Sequence, residues 1–318
     1  MTRLMTEEPR APYRPQTLVE MTLTLAERRR LRSVGLLGLF RRPRTYAPMV
    51  ARPAEAAVVV PRREAQVRRL KARHEGLIRE LKLAEQVQRS MLPRNLPQVA
   101  GVQFGAALRP AQHLAGDFYN AMRLDRDQVG FYVGDVMGHG PAAALLGVYA
   151  MQTLRPKRIE GSSYEILDPA VVLAELSRTL IAAEFPESPF VTMSYMVLDA
   201  ANARLRYCCG GHPPALLLRR GQPPARLPGE GPLLGAFDMP FEGREVMLRP
   251  GDRLVLYSDG VETTGFGDRG VGVDGLATVL SARDGRPVQA LVDDAMARAR
   301  NFTEPADDLT LMMVQIDG

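Results

Sequence analysis

From Gly101 onward, the sequence predicts a layered α/β or α+β domain in which many short strands are interrupted by clustered helices. Glycine and proline punctuate short apolar runs in this region, as is typical of strands joined by turns. The apolar runs do not alternate strictly with helical segments, and no internal repeat of roughly 20–50 residues is present. The predicted strands are 128–134, 191–198, 205–208, 215–218, 253–258 and 309–316, and the predicted helices are 141–154, 169–183 and a third including 294–300.

A long helix is predicted over residues 62–92, because this segment contains no proline and Pro93 ends it. Mostly apolar residues recur along it in alternating steps of three and four, which predicts a coiled-coil seam with two polar positions. Such a seam predicts a homodimer through residues 62–92. The alternative is a single helix that packs on its own domain. The seam positions are Val67, Leu70, His74, Leu77, Leu81, Ala84, Gln88 and Met91.

Residues 1–61 form a basic extension rich in proline and arginine, poorly ordered or docked on a partner. Within it, the helix-compatible stretch 17–40 could lie on a membrane surface, although its flanking prolines favour a loosely ordered segment. Residues 1–94 carry a net charge of +12 and residues 95–318 one of −7. The main domain is therefore acidic, which argues against a nucleic-acid-binding face there. The hypothesis of a nucleic-acid binder with a basic arm is supported by the N-terminal arginines alone.

The compartment predicted from the sequence is the cytoplasm. The two cysteines, Cys208 and Cys209, are adjacent and cannot form a disulfide framework. The chain opens without a signal peptide, and no apolar run approaches the roughly 20 residues of a membrane-spanning helix.

Aspartates stand at four places where a predicted strand begins or stops. Carboxylates are oxygen ligands suited to Mg²⁺ and Mn²⁺, and converging carboxylates repel one another unless cations lie between them. One Asp-Gly pair alone would indicate only a turn, so the combination carries the prediction of a metal site. The residues are Asp117, Asp135, Asp259 and the pair Asp307 and Asp308.

Seven motifs in a fixed order resemble the metal-dependent protein phosphatase (PPM) superfamily, in its bacterial branch typified by sporulation stage II protein E and its stress-response relatives. They are LAEQVQRSMLP, AGDFYN, GDVMGHGPAAALL, FVTMSYMVLD, CGGHPPALLLRRG, PGDRLVLYSDGVET and DDLTLMMV. The resemblance implies an α+β fold over residues 93–318, a four-layer α/β/β/α sandwich of two antiparallel sheets flanked by helices.

The resemblance also implies a ligand set for two divalent cations, Mn²⁺ or Mg²⁺. Asp135 would bridge both, and Asp259 and Asp307 would complete one site. Asp117 and the backbone carbonyl of Val136 would help complete the other. Asp308 is second choice to Asp307.

The activity implied by the resemblance is that of a protein-serine/threonine phosphatase. Asp135 would act in catalysis through a metal-bridging water that attacks phosphorus in line. The implied substrate is a phosphorylated signalling protein such as an anti-sigma-factor antagonist.

Four positions complicate this assignment. Asn120 stands where the family commonly has a second aspartate, so the alternative is a catalytically weak phosphatase-like module that binds a regulatory partner. Eukaryotic type 2C enzymes place a candidate general acid where this chain has Met137. His139 and His212 are interpreted as structural residues that shape turns.

Overall fold

The computed structural model describes residues 56–281, 285–301 and 307–317, with side chains described from Glu64. The predicted segment 17–40 lies outside these residues. The chain divides into a unit of Met1–Arg63 and a compact unit of Glu64–Gly318, and the second unit is the one described below. None of the described helices combines the length and the apolar character that a membrane crossing requires.

Helix α1 spans Ala56–Met91, so the predicted helix is present but begins six residues earlier than expected and includes Pro61. Several apolar side chains on its middle turns are largely exposed, Leu70 at 60% and Leu77 at 52%. At its C-terminal end, Gln88 instead makes two hydrogen bonds to the backbone of Ala115 in the same domain. The last turns of α1 therefore pack on their own domain. This packing is what the alternative to the coiled coil, a single helix that packs on its own domain, predicts.

The two main sheets are both antiparallel and have five strands each. Sheet A has the order β1-β14-β11-β8-β9, and sheet B has the order β10-β7-β6-β3-β2. The strands of sheet A are β1 (Val102–Arg109), β8 (Leu216–Leu218), β9 (Ala225–Arg226), β11 (Arg253–Tyr257) and β14 (Leu309–Ile316). Those of sheet B are β2 (Phe118–Arg123), β3 (Gln128–Val136), β6 (Val191–Asp199), β7 (Arg204–Gly210) and β10 (Arg244–Met247).

Helices pack on the outer face of each sheet. They are α2 (Pro141–Thr153), α3 (Pro169–Ala182), α4 (Gly272–Leu280) and α5 (Val288–Arg298). Two small hairpins pair β4 (Lys157–Glu160) with β5 (Ser163–Ile166), and β12 (Thr264–Phe266) with β13 (Ala299–Asn301). The third predicted helix is wrong at its C-terminal end, since residues 299–301 pair with β12 as a strand.

Local sequence explains where α2 and α3 begin. Each has proline in its first turn, where the missing amide hydrogen costs no helical hydrogen bond. The Asp168 carboxylate caps α3 by accepting a hydrogen bond from the Ala170 amide at 3.0 Å. Gly140 precedes α2 with φ of 85°, a backbone conformation that favours glycine.

The buried side chains form three clusters that correspond to the layer boundaries. The central cluster lies between the sheets and includes Phe131 and Met312. The second, with Phe118 and Leu173, lies between sheet B and helices α2 and α3. The third, with Tyr257 and Leu291, lies between sheet A and helices α4 and α5. The four-layer sandwich is thus confirmed, and its strand ends present the predicted aspartates.

Candidate active site

The aspartates at the strand ends converge because of strand pairing. Strands β11 and β14 are antiparallel neighbours with Tyr257 opposite Leu311. The end of β11, which leads to Asp259, therefore lies beside the start of β14, which follows Asp307 and Asp308. Asp135 lies at the end of β3, in the other sheet. The site is built where the ends of interior strands from the two sheets meet.

These residues line one cavity of about 340 Å³. Asp135, Asp259, Asp307 and Asp308 contribute carboxylates to its wall. The remaining lining residues are apolar, polar or small, apart from one histidine: Ala111, Gln112, Leu114, Val136, Met137, Gly138, His139, Phe190 and Thr192. Among the described residues that line the cavity, none is lysine or arginine.

Asp117 sits behind this wall, and only 2% of it is exposed. Its carboxylate accepts a hydrogen bond from the Thr310 hydroxyl at 2.6 Å. Of the predicted ligand side chains, Asp117 is the one that the structure leaves out of the cavity lining.

Asp308 has a different environment from its neighbour Asp307. Its two carboxylate oxygens accept hydrogen bonds from the backbone amides of Ala111 and Gly116, each at 2.7 Å. It thereby fixes both ends of the loop that leads into Asp117. Asp307 is exposed and accepts one hydrogen bond, from the Asp308 amide. This difference agrees with the choice of Asp307 over Asp308 as the ligand.

The carboxyl groups raise one another's pKa values. Burial, followed by the charges of Asp259, Asp307 and Asp308, raises the pKa of Asp135 to about 7. Burial and then Asp135 raise the pKa of Asp117 well above its ordinary value. The pKa of Asp259 is raised by partial burial and by Asp307. The protein leaves these negative charges uncompensated, as expected where a cation binds.

Glycine makes room for the oxygen atoms at two positions. A Cβ at Gly116 would lie 3.0 Å from the Val136 carbonyl oxygen, 3.1 Å from that of Gly138 and 3.4 Å from the Asp135 carboxylate. A Cβ at Gly260 would collide with the Asp308 carbonyl oxygen. Gly116 therefore leaves open a cradle of three oxygen atoms, including the predicted carbonyl ligand Val136.

The donor set fits a hard divalent cation, since every donor is a carboxylate or carbonyl oxygen. Within the described residues, however, no three carboxylate, imidazole or thiolate groups already stand in an arrangement that would hold a metal ion. The Asp117 and Asp308 carboxylates are instead engaged by Thr310 and by backbone amides. Binding would have to draw the acidic side chains together.

His212 supports the cavity wall from behind. It is buried, and its Nδ1 lies 2.9 Å from the Thr192 hydroxyl. Thr192 lines the cavity and pairs with Asp135 across strands β6 and β3. Burial lowers the pKa of His212 to about 3, so the imidazole is neutral at ordinary pH. These contacts are those of a structural residue.

Comparison with known proteins identifies the family. Residues 125–317 match the family described as Stage II sporulation protein E (SpoIIE). The chain belongs to this family. The resemblance inferred from the seven motifs is thereby confirmed, and phosphatases of this type are generally dependent on Mg²⁺ or Mn²⁺.

Relatives of this SpoIIE-family chain include phosphoserine phosphatase RsbP of Bacillus subtilis (strain 168), 30% identical over 187 residues that make up 58% of this chain and 45% of RsbP. The chain spans about half the length, or less, of the curated relatives that it matches. The predicted enzyme class, a protein-serine/threonine phosphatase, agrees with the naming of such relatives.

Two solved structures show the same fold. The RsbU and RsbW domains of Rv1364c from Mycobacterium tuberculosis share 27% identity and a TM-score of 0.57, over 71% of this chain and 63% of that one. The SiaA-PP2C domain of Pseudomonas aeruginosa shares 23% identity and a TM-score of 0.65, over 77% of this chain and 99% of that domain.

Proposed function

We propose that this chain is a divalent-cation-dependent protein phosphatase that removes phosphate from phosphoserine or phosphothreonine. The observation that carries the proposal is the cavity on which Asp135, Asp259 and Asp307 converge with no lysine or arginine among its described lining residues. Membership of the SpoIIE family and similarity to RsbP support the same reaction.

The proposed ligands are Asp117, Asp135, Asp259, Asp307 and the carbonyl oxygen of Val136. Bound Mn²⁺ or Mg²⁺ would supply Lewis-acid stabilisation of the phosphoryl oxygens and an activated water. Among the chain's own residues, Asp308 holds the loop that leads into Asp117. Thr192 and buried His212 support the strand opposite Asp135.

The proposed substrate is a phosphorylated signalling protein, such as an anti-sigma-factor antagonist, and the proposed compartment is the cytoplasm. The similarity to the stress-response branch supports the substrate. A protein substrate also fits the position of the cavity where strand ends from the two sheets meet, with the exposed side chains of Met137 and His139 at its wall.

Phosphate release from a phosphoserine peptide tests the proposal directly. We expect release with Mn²⁺ or Mg²⁺, none after excess EDTA, and recovery when the cation is returned. A phosphotyrosine peptide of the same sequence serves as the control for substrate class. Turnover that survives EDTA would contradict the cation requirement, and absence of turnover with either cation would contradict the phosphatase assignment.

The rival interpretation, a catalytically weak module, rested on Asn120. Asn120 lies in β2 opposite Tyr132 of β3, and by strand alternation it shares its face with Phe118, which packs toward the helices. It is not among the residues that line the carboxylate cavity. No observation in the described part of the chain therefore favours that rival.

Pairing of α1 in a homodimer is a separate proposal. The exposed side chains of Leu70 and Leu77 support it, since burying each would contribute roughly 1.5–3 kcal/mol. Leu77→Glu with Leu81→Glu should reduce the mass measured by light scattering to that of a monomer. A variant with the same mass as the parent would contradict pairing through α1. A parent that already has the mass of a monomer would contradict it as well.

A further inference from the structure

His139 differs in chemistry from every other side chain that lines the carboxylate cavity. It is the one imidazole among the described lining residues, and no ammonium or guanidinium group accompanies it. The imidazole is exposed, and no hydrogen bond or ion pair holds it within the described part of the chain. A structural histidine is normally held by such bonds, as His212 is by Thr192.

The loop that carries His139 depends on its flanking glycines. Gly138 has φ of 89° and Gly140 has φ of 85°, and both values lie where residues with a Cβ are strained. At both positions no atom lies within 4 Å of where a Cβ would be. Packing therefore does not explain these glycines, and the backbone conformation does. That conformation turns the chain sharply between Asp135 and α2 and leaves His139 on the cavity wall.

Hydrolysis of a phosphoserine makes a demand that the acidic residues do not meet. The departing serine oxygen is a poor leaving group unless it receives a proton as its bond to phosphorus breaks. The carboxylates proposed as cation ligands must be ionised to bind, so they are not available as proton donors. Asp308 also lines the cavity, but its two oxygens accept hydrogen bonds from backbone amides, which favour its ionised form. Imidazole is the side chain that most often serves as a general acid.

We propose that His139 is a catalytic residue, the general acid that protonates the leaving oxygen of phosphoserine or phosphothreonine. This inference rests on the proposed phosphatase function. As a water oxygen bonds to phosphorus and releases its proton to solvent water, the bond between phosphorus and the side-chain oxygen breaks, and its electron pair goes to that oxygen. The imidazolium ring of His139 gives that oxygen a proton and afterwards regains one from solvent.

Two substrates that differ in their leaving group test this role. A phosphoserine peptide releases an alkoxide and needs the proton, whereas 4-nitrophenyl phosphate releases a stabilised phenolate and does not. We expect His139→Gln to lower kcat on the peptide by about 10²–10⁴-fold, the usual contribution of general acid catalysis. Its kcat on 4-nitrophenyl phosphate should stay close to that of the parent.

Two controls separate chemistry from structure. His74→Gln makes the same chemical change on exposed α1 and should leave both substrates unaffected. The rise in melting temperature caused by Mn²⁺ should be the same in His139→Gln as in the parent, because the proposed role involves no cation ligand.

The remaining outcomes all contradict the proposal. Equal losses on both substrates would indicate that His139 binds phosphate or shapes the loop, and a reduced response to Mn²⁺ would indicate a role in the cation site. Unchanged turnover of the peptide by His139→Gln would show no role in the reaction. A parent enzyme that hydrolyses neither substrate would instead overturn the phosphatase function on which the inference depends.

Discussion

Strand β11 has a carboxylate near each end, and the two carboxylates have opposite electrostatic environments. Asp252 immediately precedes the strand and is only 2% exposed. The Arg219 guanidinium donates to both of its oxygens, with a shortest distance of 2.6 Å. The Arg249 amide donates as well, at 2.9 Å. The negative charge at this end is fully matched by the protein.

At the other end of β11, Asp259 lines the cavity together with other carboxylates, and no lysine or arginine is among the described residues of that lining. Burial and then the charge of Asp307 raise the pKa of Asp259, and Asp135 lies on the same cavity wall. An acidic residue next to a strand is thus structural when a guanidinium binds it. It is a candidate ligand when its only charged neighbours, among the described residues, are also acidic.

The largest effect is expected from Asp135→Asn. This variant should lower kcat/KM by more than the roughly 10–100-fold lost when an outer-shell partner of a metal ligand is changed. Without added cation it should also unfold at a higher temperature than the parent near pH 8, because it removes a repulsive buried charge. Asp252→Asn is the matched control and should lower stability while retaining turnover at saturating Mn²⁺.

The acidic end of β11 should also determine how the cation-free protein responds to pH. A raised pKa means that the folded state holds a proton that the unfolded state has lost. For Asp135 this stabilisation is complete below the ordinary carboxyl pKa near 4 and is lost as pH rises through about 7. Melting temperature without cation should therefore fall from pH 6.5 to 8, and Mn²⁺ should reduce the fall.

The titration of His212 does not cancel the fall in melting temperature expected between pH 6.5 and 8. Its lowered pKa gives the opposite sign, because the unfolded state then binds the extra proton, so its contribution increases with pH between about 3 and the ordinary imidazole value near 6.5. A melting temperature that rises between pH 6.5 and 8 in the absence of cation would contradict the assignment.

At the Asp252 end of β11, Arg219→Met should leave the buried Asp252 carboxylate with a backbone amide as its only remaining hydrogen-bond donor. Removing one partner of a buried pair costs about 3–5 kcal/mol, and urea unfolding would measure it. Turnover per folded molecule should not change. Arg219→Met with Asp252→Asn should recover part of the loss, and a single variant as stable as the parent would show that the pair contributes nothing.

Asp308 should behave as a structural carboxylate although it adjoins a proposed ligand. In Asp308→Asn, an amide NH₂ replaces one oxygen and faces the backbone N–H of Ala111 or Gly116. The unpaired donor should cost about 1–3 kcal/mol of stability, measured by urea unfolding. Asp307→Asn should cost little stability and should instead raise the Mn²⁺ concentration needed for turnover. The reverse pattern would exchange the two roles.

Much of the fold could be predicted because most core strands are continuous apolar runs. Strand β14 was predicted with its observed bounds, and the limits of β3 and β11 within two residues. Strand β1 was missed, since its sequence VQFGAALR contains few large side chains. Helix α4 was missed because it holds two glycines, and its stability comes from burial of residues such as Leu276.

Candidate residues for the site could be named from the sequence, but their contacts could not. Position next to a strand does not distinguish Asp252, which Arg219 neutralises, from Asp259, and only the resemblance to a known family selected Asp259. The hydrogen bond from the Gly116 amide to Asp308 joins residues 192 positions apart. The place of His139 on the cavity wall likewise depends on how β3 and α2 meet, whereas the sequence suggested only a turn.

The smallest effect is expected where a carboxylate is added outside the acidic cluster, by Asn120→Asp. Restoring the aspartate common in the family would matter for the cation only if its side chain reached the cavity. Asn120 instead lies on the helix-facing side of sheet B and is partly exposed. The stability change should stay within about 0.5 kcal/mol, as for most partly exposed sites, and the Mn²⁺ concentration for half-maximal turnover should be unchanged. A much lower Mn²⁺ requirement would show that a carboxylate at this position does join the site, and the unmatched aspartates would then extend from β3 to its neighbour β2 in sheet B. A rise in that requirement would show that the added charge competes for the cation at a distance.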